Sequence, residues 1–118
     1  MRDQIISDAL EAILYALEII QARYEVILKS EPFLLTNENL TLFDAIAMRL
    51  QVIGEKVKKI EQHAPGFWEG NGIDPKPIIR FRDFISHHYE NVEFEIILDV
   101  CKNYLPDFEN KARMLYSA

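Results

Sequence analysis

The chain has 118 residues, the size of one domain, and 49% of them are hydrophobic, which excludes a disordered or low-complexity segment. A net charge of -6 excludes indiscriminate nucleic-acid binding by the whole surface, so any such contact must be local or built by symmetry. The single cysteine, Cys101, excludes an intramolecular disulfide and reads as a core residue of a cytoplasmic protein; no apolar run nears the ~20 residues of a membrane span, and no basic-then-apolar leader opens the chain.

Residues 1–29 read as one long helix. Ile6, Leu10, Ile13, Leu17, Ile20, Tyr24 and Ile27 step by four and three without a miss, a heptad-like seam for a helix lying nearly parallel to its neighbours. Ala9, Ala12 and Ala16 beside it allow close approach. Its polar face is mainly acidic, which does not suit a membrane-surface helix. Ser30-Glu31-Pro32 ends the helix, because a residue before proline avoids the α region. A loop is expected to about Asn39, with Thr41 and Asp44 as a capping-box-like start to the second helix. That helix carries Phe43, Ile46, Leu50, Ile53, Val57 and Ile60. Gly54 interrupts it at a cost of about 1 kcal/mol relative to Ala, which points to close approach by another helix. Glu55 beside it reads as exposed or paired. Lys56, Lys58 and Lys59 suit the negative end of the helix dipole, with RNA phosphate contact as the second reading.

His63-Ala64-Pro65-Gly66 terminates the second helix. The connector through Gly70, Gly72 and Pro75 reads as the loosest part of the chain, pinned by Phe67 and Trp68; base stacking is their second reading. His63 lacks metal-type partners at ligand spacing and reads as a surface or capping residue. A third helix starts after Asp74 or Lys76, with Pro77 in its first turn. Ile78, Phe81 and Ile85 mark its buried face, with Phe84 adjacent, and it ends near Tyr89. A fourth begins at Asn91 or Glu93 and buries Phe94, Ile97, Cys101, Leu105 and Phe108, continuing to Ala112 and Leu115. Pro106 is expected to kink or restart it. These four helices with short connections predict an all-α, antiparallel four-helix bundle in a single domain, 1–118.

The third helix closes on Arg82-Asp83-Phe84-Ile85-Ser86-His87-His88-Tyr89, which holds two of the chain's 3 histidines. Arginine grips phosphate oxygens through a planar fork and stays charged. Histidine exchanges protons near neutrality. At ~100° per residue, Arg82 and Tyr89 fall within ~20° of each other, whereas His87 lies ~140° from Arg82. Convergence of Arg82 and His87 is easier if the helix loosens at His87 or if a partner chain completes the site. A bland reading also exists: cationic histidines at 87 and 88 suit a helix C-terminus.

The run Arg82-x4-His87-x-Tyr89 resembles the signature of the HepT-like toxins of the HEPN superfamily. Leu50-Gln-Val-Ile-Gly-Glu55 resembles that family's second-helix Leu-Glu-x-Ile-Gly-Glu. The stretch from Tyr89 to Leu105-Pro106 resembles its His-x-Tyr-x-x-Val-Asp…Leu-Pro run. Two positions depart from the pattern: Asp83 stands where the family usually has Asn, and Val92-Glu93 where it has Val-Asp. Arg82 with His88, or Arg80 with His87, also fits the wider superfamily spacing.

The resemblance implies a homodimer of four-helix bundles whose paired motifs face a shared cleft. It implies a metal-independent endoribonuclease without cofactor, the toxin of a type VII-like toxin–antitoxin pair. His87 is then the general base or acid for attack of the ribose 2′-OH on the adjacent phosphate, and Arg82 stabilises the developing charge. Asp83, Ser86 and His88 are the supporting residues. Tyr89 is the residue to which a nucleotidyltransferase antitoxin attaches AMP. Two other classes stay open: a non-catalytic HEPN module that binds nucleotide or a nucleotidyltransferase partner, and a pure interaction protein.

Overall fold

A computed structural model describes residues 3–30 and 36–118 of the chain. Among them the secondary structure is entirely helical. The expected seam of the first helix, α1 (Gln4–Lys29), is buried from Leu10 to Ile27, and Ile6 is half-buried against it. Asp3 caps α1 by accepting hydrogen bonds from the Ile5 and Ile6 amides at 2.9 and 3.2 Å. The first two residues of the predicted helix, and Glu31-Pro32 of its predicted stop, lie outside the described residues; Ser30 closes the helix by bonding back to the Ile27 carbonyl.

The second helix, α2 (Asn37–His63), begins earlier than Thr41. The Thr36 hydroxyl accepts from the Asn39 amide at 3.1 Å and is the true cap, whereas the Thr41 hydroxyl donates to the Asn37 carbonyl inside the first turns. Both threonines are followed by a capping partner three residues on, and the upstream one wins. All six predicted seam residues of α2, from Phe43 to Ile60, are buried. At its far end His63 Nε2 lies 2.8 Å from Asp3 Oδ2, tying the end of α2 to the cap of α1. That bond, followed by the Ile6 amide, holds the Asp3 carboxyl below its usual range. It also makes α1 and α2 antiparallel neighbours.

The connector is more ordered than its glycines and prolines imply. A short helical turn, α3 (Phe67–Gly70), follows Gly66, whose φ of 85° is left-handed. Trp68 is fully buried and donates its indole N–H to the Val57 carbonyl at 3.0 Å, so it has no face left for base stacking. Its ring rests on Phe67 and Phe108. The next helix, α4 (Lys76–His88), has Pro77 in its first turn and stays helical past His87, its backbone leaving the α region at His88 (φ -137°, ψ 31°). Ile85 is its one buried residue; the predicted inward Ile78 and Phe81 are only half-buried. A 3₁₀ turn (Tyr89–Asn91) leads into α5 (Phe94–Asp99).

Pro106 was expected to kink or restart the last helix. The helix does restart there: a π turn (Val100–Tyr104), with the Leu105 amide bonded to the Val100 carbonyl, leads into α6 (Leu105–Ser117), which carries Pro106 in its first turn. One extra residue in the turn leaves room for a ring that has no N–H to give. Cys101 sits buried in this turn, and burial pushes its thiol up to about 12. Packing runs from α4 to α2 to α1 to α6, with α5 touching α2. Helix α4 therefore rests on α2 alone along much of its length. A pocket of about 210 Å³ opens beside it, walled by Pro77, Ile78, Phe81, Val100 and Tyr104 and floored by Leu50. No described helix is long and apolar enough to cross a membrane.

Candidate active site

Helices α2 and α4 meet along a polar ladder beside the apolar contact that buries Ile85. Three α4-side groups reach three α2 groups in antiparallel register. Arg82 Nη2 donates to Glu55 at 3.2 Å, the Ser86 hydroxyl donates to Gln51 at 3.0 Å, and the Tyr89 phenol donates to Asp44. On α2 the acceptors recur at spacings of seven and four, which puts them on one helical face. On the α4 side the donors recur at four and three, so Ser86 joins the face that the sequence geometry predicted for Arg82 and Tyr89.

Gly54 is what lets the ladder close. A Cβ at that position would stand 2.2 Å from Arg82 Cβ and 2.6 Å from its Cγ. The close approach expected at Gly54 is thus made by the root of the Arg82 side chain. From there the guanidinium reaches two carboxylates, Asp83 at 3.0 Å and Glu55 at 3.2 Å. The Asp83 bond first, then the Glu55 bond, holds its proton still more firmly than usual. Arg82 Nε is buried without a hydrogen-bond partner.

Tyr89 is half-buried. Burial first, and then the bond to Asp44, pushes the phenol's pKa far above its ordinary value. The hydroxyl therefore stays protonated, and it points to α2. Asp44 was expected as part of a cap and Gln51 was not singled out. The signal for both was the polar stripe 44, 51, 55 running beside the apolar seam of α2.

His87 and His88 are exposed. The helix does not loosen at His87, so within one chain Arg82 and His87 stay on divergent faces, ~140° apart by helical geometry. The His88 ring lies 5.6 Å from that of Phe84, on the outer side. Ser86 turns to Gln51 and Asp83 to Arg82; neither reaches His87 through a described contact. Arg80 is exposed. Lys56 is half-buried, Lys58 and Lys59 are exposed, and none of the three forms an ion pair among the described residues. None of the polar groups of residues 82–89 lines the apolar pocket beside α4. Among the described residues no three His, Cys, Asp or Glu side chains are grouped to hold a metal ion.

The described secondary structure is thus wholly helical, and one helix closes on Arg-x4-His-x-Tyr over a Gly-Glu step of its neighbour. The family model described as Ribonuclease HepT-like matches residues 13–115, and the chain belongs to that HepT-like family of the HEPN superfamily. No curated protein and no solved structure matches it.

Proposed function

We propose that the protein is a metal-independent endoribonuclease that works as a homodimer of four-helix bundles and serves as the toxin of a toxin–antitoxin pair. Family membership supports ribonuclease chemistry. The observation that supports a dimer is the helical backbone from Arg82 through His87: it sets the two side chains ~140° apart in one chain, and a second copy can supply each with a facing partner. His87 is solvent-exposed and free to enter such a shared cleft. There it takes the proton of the ribose 2′-OH as this oxygen attacks the neighbouring phosphorus, and the bond to the 5′ oxygen of the next nucleotide breaks, that oxygen leaving as a hydroxyl with a proton taken from solvent. Arg82 braces the extra negative charge on the phosphoryl oxygens. Ser86 and Asp83 position the arginine face, and His88 borders it.

In this reading Tyr89 is the control point, with AMP attached to its phenol oxygen by a nucleotidyltransferase antitoxin. Modification removes the hydrogen that Asp44 accepts and places a phosphate on the face shared with Arg82. The cleft then carries a bound anion and a base in place of RNA.

The test is subunit mixing. Arg82→Ala and His87→Ala homodimers are each expected to be inactive on single-stranded RNA. Mixed after mild dissociation, they form heterodimers with one intact Arg82 facing one intact His87 from the other chain, and cutting returns. Silence of the mixture, with heterodimers verified by native mass spectrometry, would refute the shared cleft. A non-catalytic module binding nucleotide or the transferase is the alternative; a wild-type dimer that binds either but cuts nothing favours it.

A further inference from the structure

We propose that Glu55 and Asp83 compete with RNA phosphate for Arg82, so that the chain on its own holds its anion-binding group in a self-paired, low-affinity state. The inference rests on the reading of Arg82 as the phosphate-binding residue. Its basis is the arrangement around the guanidinium. Two carboxylates face one cation, leaving the cluster with an excess of negative charge before any RNA arrives. Both are fixed beside their target by the chain itself: Asp83 is the next residue, and Glu55 follows the glycine against which the Arg82 stem is wedged. Their local concentration is therefore high at any protein concentration.

The pairing is a competition and not a permanent lock. The side chains of Glu55 and Asp83 are 51% and 48% exposed, so each rehydrates on release. Each is bonded to Arg82 and to no other described side chain. Arg82 itself engages Nη1 and Nη2 while its Nε is buried and unpartnered, so the guanidinium is not fully satisfied where it sits. A phosphate offers the fork a bidentate acceptor in exchange for two separate single bonds. Binding must displace at least one carboxylate, and the affinity is reduced by the share of chains in which the clamp is closed.

The test measures binding of a short fluorescein-labelled 2′-O-methyl RNA by anisotropy; this RNA lacks the attacking hydroxyl and stays intact. Wild type is compared with Glu55→Gln, Asp83→Asn and the double variant, each also made in an Arg82→Ala background. Each single change is expected to tighten binding about threefold, the fold-change of one exposed ion pair, and the two together about tenfold. In the Arg82→Ala background the gains disappear. If Arg82→Ala weakens binding but neither carboxylate change tightens it, the clamp is wrong while Arg82 keeps its role. Gains that persist without Arg82 reduce the effect to net charge and also overturn the clamp. Arg82→Ala that binds as wild type overturns the reading of Arg82 itself.

Discussion

Gly54→Ala probes the contact on which the site is built. The added Cβ would lie 2.2 Å from Arg82 Cβ and 2.6 Å from Cγ, with Arg82 Cα at 3.5 Å. These atoms are the root of the side chain and cannot swing away. Carbon atoms rest at about 3.5–4.0 Å, so α4 must move from α2 by roughly 1 Å or more. Helix propensity opposes this, since Ala favours the helix over Gly by about 1 kcal/mol. Overpacking costs about 1–3 kcal/mol, which leaves a net loss of about 1 kcal/mol and a fall in Tm of about 4 °C. Function suffers more than stability, because the same shift displaces the root of the Arg82 side chain, and with it the guanidinium, from its place in the site. The assay is thermal unfolding by circular dichroism together with RNA cleavage. Gly70→Ala serves as control, since a Cβ there meets nothing within 4 Å. A Gly54→Ala protein that melts above wild type and cuts RNA at the wild-type rate would refute the reasoning.

Three further outcomes follow from the same structure. Stability should fall as pH rises from about 9, because the unfolded chain releases the Cys101 thiol proton near the ordinary value of 9.0 while the folded chain holds it up to about 12. The native state then binds more protons than the unfolded one; urea midpoints between about pH 8 and pH 10 should decline in wild type and decline less in Cys101→Ala. Coexpression with a cognate nucleotidyltransferase should add one or more AMP masses to wild type and none to Tyr89→Phe, read by intact mass. Adducts of undiminished yield on Tyr89→Phe would place the modification elsewhere. His88→Ala should keep ribonuclease activity; its loss there, with His87→Ala active, would exchange the roles of the two histidines.

Local periodicity carried most of the fold into view. The seams of α1 and α2 were legible because each repeats an apolar residue at three and four for many turns, and burial follows that repeat. The start of α2 was misread because two threonines offer the same cap chemistry, and nothing in the sequence ranks Thr36 over Thr41. The π turn before Pro106 was not legible: a proline announces a missing N–H, not how the backbone accommodates it. For the site, Gly54 correctly announced a close approach, and Glu55 was open to pairing. The Tyr89–Asp44 bond spans 45 residues, and Ser86–Gln51 spans 35, so no local rule reveals either. The intact helix at His87 was one of two alternatives that sequence geometry left standing.

The central claim is that Arg82 and His87 cut RNA without a metal. The direct measurement is incubation of purified wild type and His87→Ala with single-stranded RNA in EDTA, followed by mass analysis of the products. The account predicts fragments ending in 2′,3′-cyclic phosphate and 5′-hydroxyl from wild type, and intact RNA from a His87→Ala protein whose stability is unchanged to within about 0.5 kcal/mol. RNA left whole by folded, dimeric wild type, or cut equally by His87→Ala, would contradict it.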